Sequence, residues 1–232
     1  MNIPIDFERK IEANFGERGK QWLAMLAARV EYYLMKWQLQ LEGPVDNLSY
    51  NYVLKVRDRE HTPLILKFGM PGADFTNEIR ATKLYKGASF AWLYQYDEID
   101  GVMLLERLEP GYMLSEVESE EQVIHHYIEI WKALRTPVKT SFPSMKSWFD
   151  ELQVYLEKYS KDDCLIPHTL VKNAQCYAQE LFETTAGEEL LHGDLHHYNI
   201  LYDEERGWCA IDPKGVIGDP YFDFVAFLFN EL

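Results

Sequence analysis

Positive charge is in short supply in this chain. Its 23 Lys and Arg stand against 38 Asp and Glu, a formal net charge of −15 at pH 7. That balance argues against nucleic acid as a partner, because neutralising a phosphate backbone needs a basic face. Cysteine is scarce too. The three present, Cys164, Cys176 and Cys209, are odd in number and have no zinc or redox spacing, so they read as reduced thiols of a cytoplasmic protein. No apolar run approaches the ~20 residues a membrane span needs. The opening Met-Asn-Ile-Pro-Ile-Asp-Phe-Glu-Arg-Lys lacks the basic-then-apolar pattern of a secretory signal. Internal repeats and low-complexity tracts are also missing. Glycine is thin where a phosphate-binding loop would want it: between Gln38 and Val56 only Gly43 occurs, so no Gly-x-Gly-x-x-Gly pattern is present.

What the chain does have is apolar bulk. Hydrophobic residues make up 47% and aromatics 14%, enough for two small lobes with real cores. Trp22, Leu26, Val30, Tyr33 and Trp37 recur at three- and four-residue steps, which predicts a helix over Trp22 to Trp37 with a packed aromatic face. Tyr50 to Val56 and Pro63 to Phe68 read as strands, and Asp74 is a fair N-cap for a helix whose apolar side is Phe75, Ile79 and Leu84. Ala91 to Tyr96 and Val102 to Glu106 form a hairpin across Asp100-Gly101. Together these make a small mixed α/β lobe built on a β-sheet. Beyond Gly111 the pattern turns helical. Ser115 and Ser119 each open a capping box, with helices expected to follow to near Arg135, over Ser147 to Tyr159 and over Pro167 to Thr184. The acidic run at Glu116, Glu118, Glu120 and Glu121 suits a helix start, with a cation-binding rim as the alternative.

The most informative stretch is His192-Gly193-Asp194-Leu195-His196-His197-Tyr198-Asn199, followed by Ile211-Asp212-Pro213. Asp194 and Asn199 stand at the offset of a kinase catalytic loop, and Asp212 closes a short apolar strand in the place of the second, metal-holding aspartate. Phosphoryl transfer to an alcohol asks mainly for positioning and charge neutralisation. Asp194 is the candidate base toward the acceptor hydroxyl. Asn199 and Asp212 are candidate ligands for Mg²⁺, a hard cation that takes a few protein oxygens beside substrate phosphates. His192 reads as a brace for the loop. Zinc held by His192, His196 and His197 is a minor alternative, since their spacing is not that of a zinc site.

A second cluster lies upstream. Lys67 is embedded among apolar strand residues, and a buried lysine wants a partner. Glu78 on the next helix is the candidate, in the arrangement that holds the α- and β-phosphates of ATP. An edge-strand lysine reaching solvent is the alternative. Backbone N–H groups of Asp46 to Ser49, with the Ser49 hydroxyl, are the candidate phosphate contacts in place of a glycine-rich loop.

The order Lys67, Glu78, Glu106-Arg107-Leu108-Glu109-Pro110-Gly111, His-Gly-Asp-Leu-His-x-x-Asn and Ile-Asp-Pro resembles the aminoglycoside phosphotransferase family. Leu104-Leu105-Glu106-Arg107-Leu108-x-Pro-Gly and the opening Gly16-Glu17-Arg18-Gly19-Lys20-Gln21-Trp22-Leu23 are similar to its streptomycin and hydroxyurea phosphotransferase branch. The resemblance implies an α+β, two-lobed, protein-kinase-like fold, with an ATP-covering lobe over residues 1–109 and a mainly helical catalytic lobe over 110–232. It implies that backbone groups of Glu106 to Glu109, Glu106 and Leu108 among them, form the hinge that binds adenine. Asp219 and Asp223 match the family's Asp-Pro-x-x-x-Asp and are expected to be structural. Residue 232 falls within an apolar helical pattern without a stop signal, and the resemblance implies further helices beyond it. The reaction implied is ATP- and Mg²⁺-dependent phosphorylation of a small hydroxylated acceptor, with an aminoglycoside-like polycation suited to the acidic chain. Two alternatives stay open: a kinase of choline, homoserine or a sugar, and a nucleotide-binding module without turnover. Oligomeric state is not legible.

Overall fold

The computed structural model describes residues 3–85, 87, 89–137, 141–160 and 165–230. The chain divides into two compact units, one made of Met1–Tyr112 with Leu201–Cys209, the other of Met113–Ile200 with Ala210–Leu232.

The first unit opens with α1 (Ile5–Lys36), which begins well before the expected Trp22. Its buried residues continue the heptad-like spacing backward through Phe7 and Ile11. Gly16 interrupts it at φ 55°, ψ −133°, a kink that hides the continuity from a periodicity reading. Four antiparallel pairings then build a five-stranded sheet in the order β1 (Gln40–Pro44), β2 (Tyr52–Arg57), β3 (Pro63–Phe68), β5 (Val102–Glu106) and β4 (Leu93–Asp97). Because side chains alternate along a strand, Leu64, Leu66 and Phe68 of β3 pack with Leu54, Val56, Val102 and Leu104 beneath α1. The opposite face receives α2 (Ala73–Leu84) through Phe75, Ile79 and Met103. Two α1 side chains pin one end of the sheet: Trp22 Nε1 donates to the Gly69 carbonyl just past β3 at 3.1 Å, and the Tyr33 hydroxyl to Asp100 Oδ2 in the β4–β5 turn at 2.8 Å.

Three local expectations need correction. The residue preceding α2 is Gly72, so Asp74 lies inside the first turn, where its carboxylate complements the helix dipole instead of capping it. Leu84 is exposed, since Ile79 and Phe75 alone reach the sheet and the last turn runs past its edge. Tyr50 is exposed in the loop joining β1 to β2, and the strand begins at Tyr52.

Strand β6 (Pro110–Met113) leads into the second unit. Ser115 caps no helix there. It sits in a 3₁₀ turn (Leu114–Glu116) in which Glu116 accepts from the Met113 N–H at 3.1 Å. Helix α3 (Glu120–Leu134) starts instead at Ser119, whose hydroxyl accepts from the Gln122 N–H. Then come β7 (Thr136–Pro137), the antiparallel pair α4 (Lys146–Lys158) and α5 (His168–Thr184), and β8 (Glu189–Leu191). Strands β9 (Ile200–Asp203) and β10 (Gly207–Ala210) form a three-stranded sheet with β6, returning residues 201–209 to the first unit. The chain ends with β11 (Val216–Gly218), paired to β8, and α6 (Asp223–Phe229). Tyr127 of α3 stacks on Phe227 and Trp131 meets Phe224 edge-on, and the two donate to the Asp223 and Pro220 carbonyls at 2.8 and 3.0 Å. Cys176 and Cys209 are free thiols, and Cys164 lies outside the described residues. Among the described residues no helix is long and apolar enough to cross a membrane.

Gly101 turns the β4–β5 hairpin at φ +65°, and a Cβ there would stand 2.7 Å from the Gly69 carbonyl oxygen. Gly101→Ala combines a left-handed backbone with a backbone clash, so it should lower stability by about 1–3 kcal/mol in urea denaturation.

Candidate active site

In the second unit the stretch after β8 is stitched into one shape by backbone and side-chain bonds. The His192 and Gly193 N–H groups donate to the two oxygens of Asp223, at 3.1 and 2.7 Å. The His192 ring is fully buried, and its Nε2 is 2.8 Å from the Ile211 carbonyl. A carbonyl only accepts, so Nε2 carries the proton and Nδ1 is left to accept the Asp194 N–H at 3.3 Å. Burial holds this imidazole neutral, with its pKa down at about 4. Burial acts oppositely on Asp223, raising it to about 6 despite the two N–H donors that favour its anion.

The rest of the loop follows. Gly193 takes φ 80°, and the Asn199 N–H closes a 3₁₀ turn (His197–Asn199) on the His196 carbonyl at 2.9 Å. Asn199 Nδ2 donates to the Asp194 carbonyl at 2.9 Å, which orients the amide. The loop is tied to the strand end after β10: Ile211 N–H donates to the Asn199 carbonyl at 2.9 Å, and Lys214 N–H to the His192 carbonyl at 2.7 Å. Asp212 sits between these two bonds in a left-handed conformation, φ 61°. Outside glycine that conformation is uncommon, although aspartate and asparagine adopt it more readily than other residues. The structure therefore assembles Asp194, Asn199 and Asp212 on two mutually bonded segments.

Two further side chains contact Asp194: Lys214, which carries no motif signal, and His196, whose weighed alternative is zinc. Lys214 Nζ lies 3.3 Å from Oδ2, and His196 Nε2 lies 3.6 Å from Oδ1. The available signal for Lys214 was a cation two residues past Asp212 in an otherwise acidic chain. Among the described residues no group of three or more His, Cys, Asp and Glu is gathered as for a metal ion. A carboxamide plus a carboxylate, by contrast, is a donor set for a hard cation that keeps water and phosphate oxygens. The fit is supported by Asn199, whose Nδ2 faces the loop, which leaves Oδ1 as the ligand atom.

In the first unit Lys67 follows from strand alternation. It points to the α2 face, opposite Leu66 and Phe68, and pairs in register with Met103. There its Nζ donates to Glu78 Oε1 at 2.6 Å, with side chains 2% and 13% exposed. Glu106 ends β5. Its N–H donates to the Trp92 carbonyl at 2.8 Å, and its carboxylate accepts from the Trp92 N–H and pairs with Arg206, which is also stacked on the Trp92 ring. The Glu106 side chain is thus engaged in holding the segment rather than presented to a ligand. Leu108 is buried, and the neighbouring Arg107 pairs with Glu42 and Glu109. Ser49 is exposed on the loop between β1 and β2.

An N-terminal sheet with a buried lysine–glutamate pair, followed by a helical unit bearing a bonded Asp–Asn–Asp loop, is the fold of the kinase-like phosphotransferases. The choline/ethanolamine kinase family protein from Mesorhizobium loti superposes with a TM-score of 0.66, at 19% identity over 87% of this chain and 68% of that one. The amicoumacin kinase hAmiN, solved with AMP-PNP, Ca²⁺ and Ami, gives 0.60 at 18% identity over 96% and 71%. In sequence the chain is 27% identical to streptomycin 6-kinase of Streptomyces griseus over 226 residues, 96% of this chain and 73% of that protein. Residues 36–232 match the aminoglycoside/hydroxyurea antibiotic resistance kinase family, and the chain belongs to that family. It is a small-molecule phosphotransferase.

Two predictions follow from these geometries. Glu78→Ala takes a carboxylate partner from a buried ammonium and should destabilise the chain by about 3–5 kcal/mol, whereas Lys67→Met removes the charge while keeping the length and should cost less. Urea denaturation of both variants checks the order. The second concerns pH. His192, depressed in the native state, loses stability as pH falls from its ordinary value of 6.5 toward 4. Asp223, raised in the native state, gains stability over the window from about 6 down to its ordinary 3.8. The two offset each other in the wild type. Asp223→Asn removes the offset, so its stability should fall more steeply below pH 6.5, by up to about 3 kcal/mol. Denaturation midpoints taken across that range that ran parallel for variant and wild type would contradict this.

Proposed function

We propose that the chain transfers the γ-phosphoryl group of ATP, with Mg²⁺, to a hydroxyl of a small, streptomycin-type acceptor. The observation that carries this reading is the pair of bonded segments bearing Asp194, Asn199 and Asp212. Asp194 accepts the proton of the attacking hydroxyl and aligns its oxygen with phosphorus. Asn199 and Asp212 would hold the metal, which would supply positive charge against the phosphates. Lys67, steadied by Glu78, takes the α- and β-phosphates, with backbone and hydroxyl of Ser49 contributing from the β1–β2 loop. Backbone groups from Glu106 to Leu108 bind adenine, and the engagement of the Glu106 carboxylate by Arg206 and Trp92 supports a role for its main chain only.

The named relative supports the acceptor class, as does the charge of −15, which draws a polycation toward the protein. The same charge disfavours nucleic acid. Reduced thiols at Cys176 and Cys209 fit a cytoplasmic reaction, where ATP is supplied.

ADP release from ATP with streptomycin as acceptor tests the reading. It should require Mg²⁺ and stop with EDTA. Asp194→Asn, Asp212→Asn and Lys67→Met should each lower kcat/KM by about 100-fold or more. Variants that turn over at the wild-type rate would end the assignment.

A further inference from the structure

We propose that Lys214 is a catalytic cation, donating from its ammonium to the phosphoryl group in flight while it orients Asp194. The inference rests on the phosphoryl-transfer reading above.

Its geometry is specific. The Lys214 N–H is bonded to the His192 carbonyl at 2.7 Å, so the stem leaves the loop from a set point. Gly193 makes room for it: a Cβ there would meet Lys214 Cβ at 3.1 Å, as well as Trp148 and Val216. The stem therefore crosses directly over the residue preceding Asp194, and the ammonium arrives 3.3 Å from Oδ2. Among the described residues Asp194 is its one ion-pair partner. An ammonium has three N–H donors, so one bond to Asp194 leaves two for a ligand.

The alternative use of such a pair is stability, and here that use is weak. The side chains are 55% and 33% exposed, and pairs that open to solvent add little to folding. What the site needs chemically is positive charge. In the transfer the acceptor oxygen forms a bond to the γ-phosphorus and the bond from phosphorus to the β,γ-bridging oxygen breaks. ADP departs with that electron pair, and the hydroxyl proton passes to Asp194. Negative charge spreads over the three peripheral oxygens during this step. Asp194 and Asp212 already make these loops acidic, so the phosphoryl group in flight needs positive charge beyond the divalent ion and the Lys67 assigned to the α- and β-phosphates. Lys214 is the cation that these same loops carry. It keeps its proton throughout and contributes hydrogen bonds that strengthen as charge develops.

Lys214→Met, Lys214→Arg and Asp194→Asn should be compared by ADP release with MgATP and streptomycin, by basal ADP release to water, and by MgADP affinity with and without aluminium fluoride, a mimic of the transferring phosphoryl group. Lys214→Met should lower both rates by about 100-fold, with KM for ATP and affinity for MgADP within about threefold of wild type. It should also abolish the tightening of MgADP by aluminium fluoride, and Lys214→Arg should restore at least part of both. Wild-type turnover and wild-type tightening in Lys214→Met would overturn the inference. So would a general loss of MgADP affinity and melting temperature in both Lys214 variants, which marks a structural role. An Asp194→Asn enzyme that is dead beside a fully active Lys214→Met sinks this inference alone. A wild-type chain that neither binds MgADP nor releases ADP takes the transferase reading down with it.

Discussion

One buried carboxylate sets the second unit in order. Asp223 takes the N–H groups of His192 and Gly193, and its own carbonyl takes the Tyr127 hydroxyl of α3. Backbone donors left bare in a dry core cost free energy comparable to a lost bond, so the loop after β8 has one low-energy path. That path buries the His192 ring, whose Nε2 and carbonyl then collect Ile211 and Lys214 from the following segment. The spacing of Asp194, Asn199 and Asp212 is therefore a by-product of how the core satisfies its polar groups. Chemistry that tolerates little misplacement gains rigidity from packing.

The first unit answers a similar constraint with an ion pair. A strand that alternates into two apolar faces has no neutral place for lysine, yet β3 puts Lys67 on its α2 face. Burying two charges rarely gains stability over an apolar pair of the same shape. The proposed use of this ammonium on a phosphate accounts for such a pair more readily than folding does. The same sheet is covered on its other face by α1, whose Trp22 and Tyr33 are hydrogen-bonded to the strand ends.

Much of this was legible in the sequence, for identifiable reasons. The β3 lysine and the glutamate eleven residues on announce themselves because charge inside an apolar run is rare. The Asp194–Asn199–Asp212 offsets are local and survive any error in element boundaries. The misses are of another kind. Helix α1 was shortened because Gly16 breaks its periodicity, although Phe7 and Ile11 pack as the later positions do. Asp74 has the chemistry of a cap, but the chain turns at Gly72. The return of residues 201–209 to the first unit depends on β9 meeting β6, about ninety residues earlier, and pairing at that separation leaves no local trace. Arg206 leaves no local trace for the same reason, since its partner Glu106 lies a hundred residues away.

In the proposed reaction Asn199 and Asp212 share one metal ion beside the carboxylate of Asp194. A crystal structure of the chain with AMP-PNP and Mg²⁺ measures this directly. The expected result is an ion coordinated by Asn199 Oδ1 and an Asp212 oxygen, with the terminal phosphate facing Asp194. Nucleotide bound with its metal remote from residues 199 and 212 would contradict it.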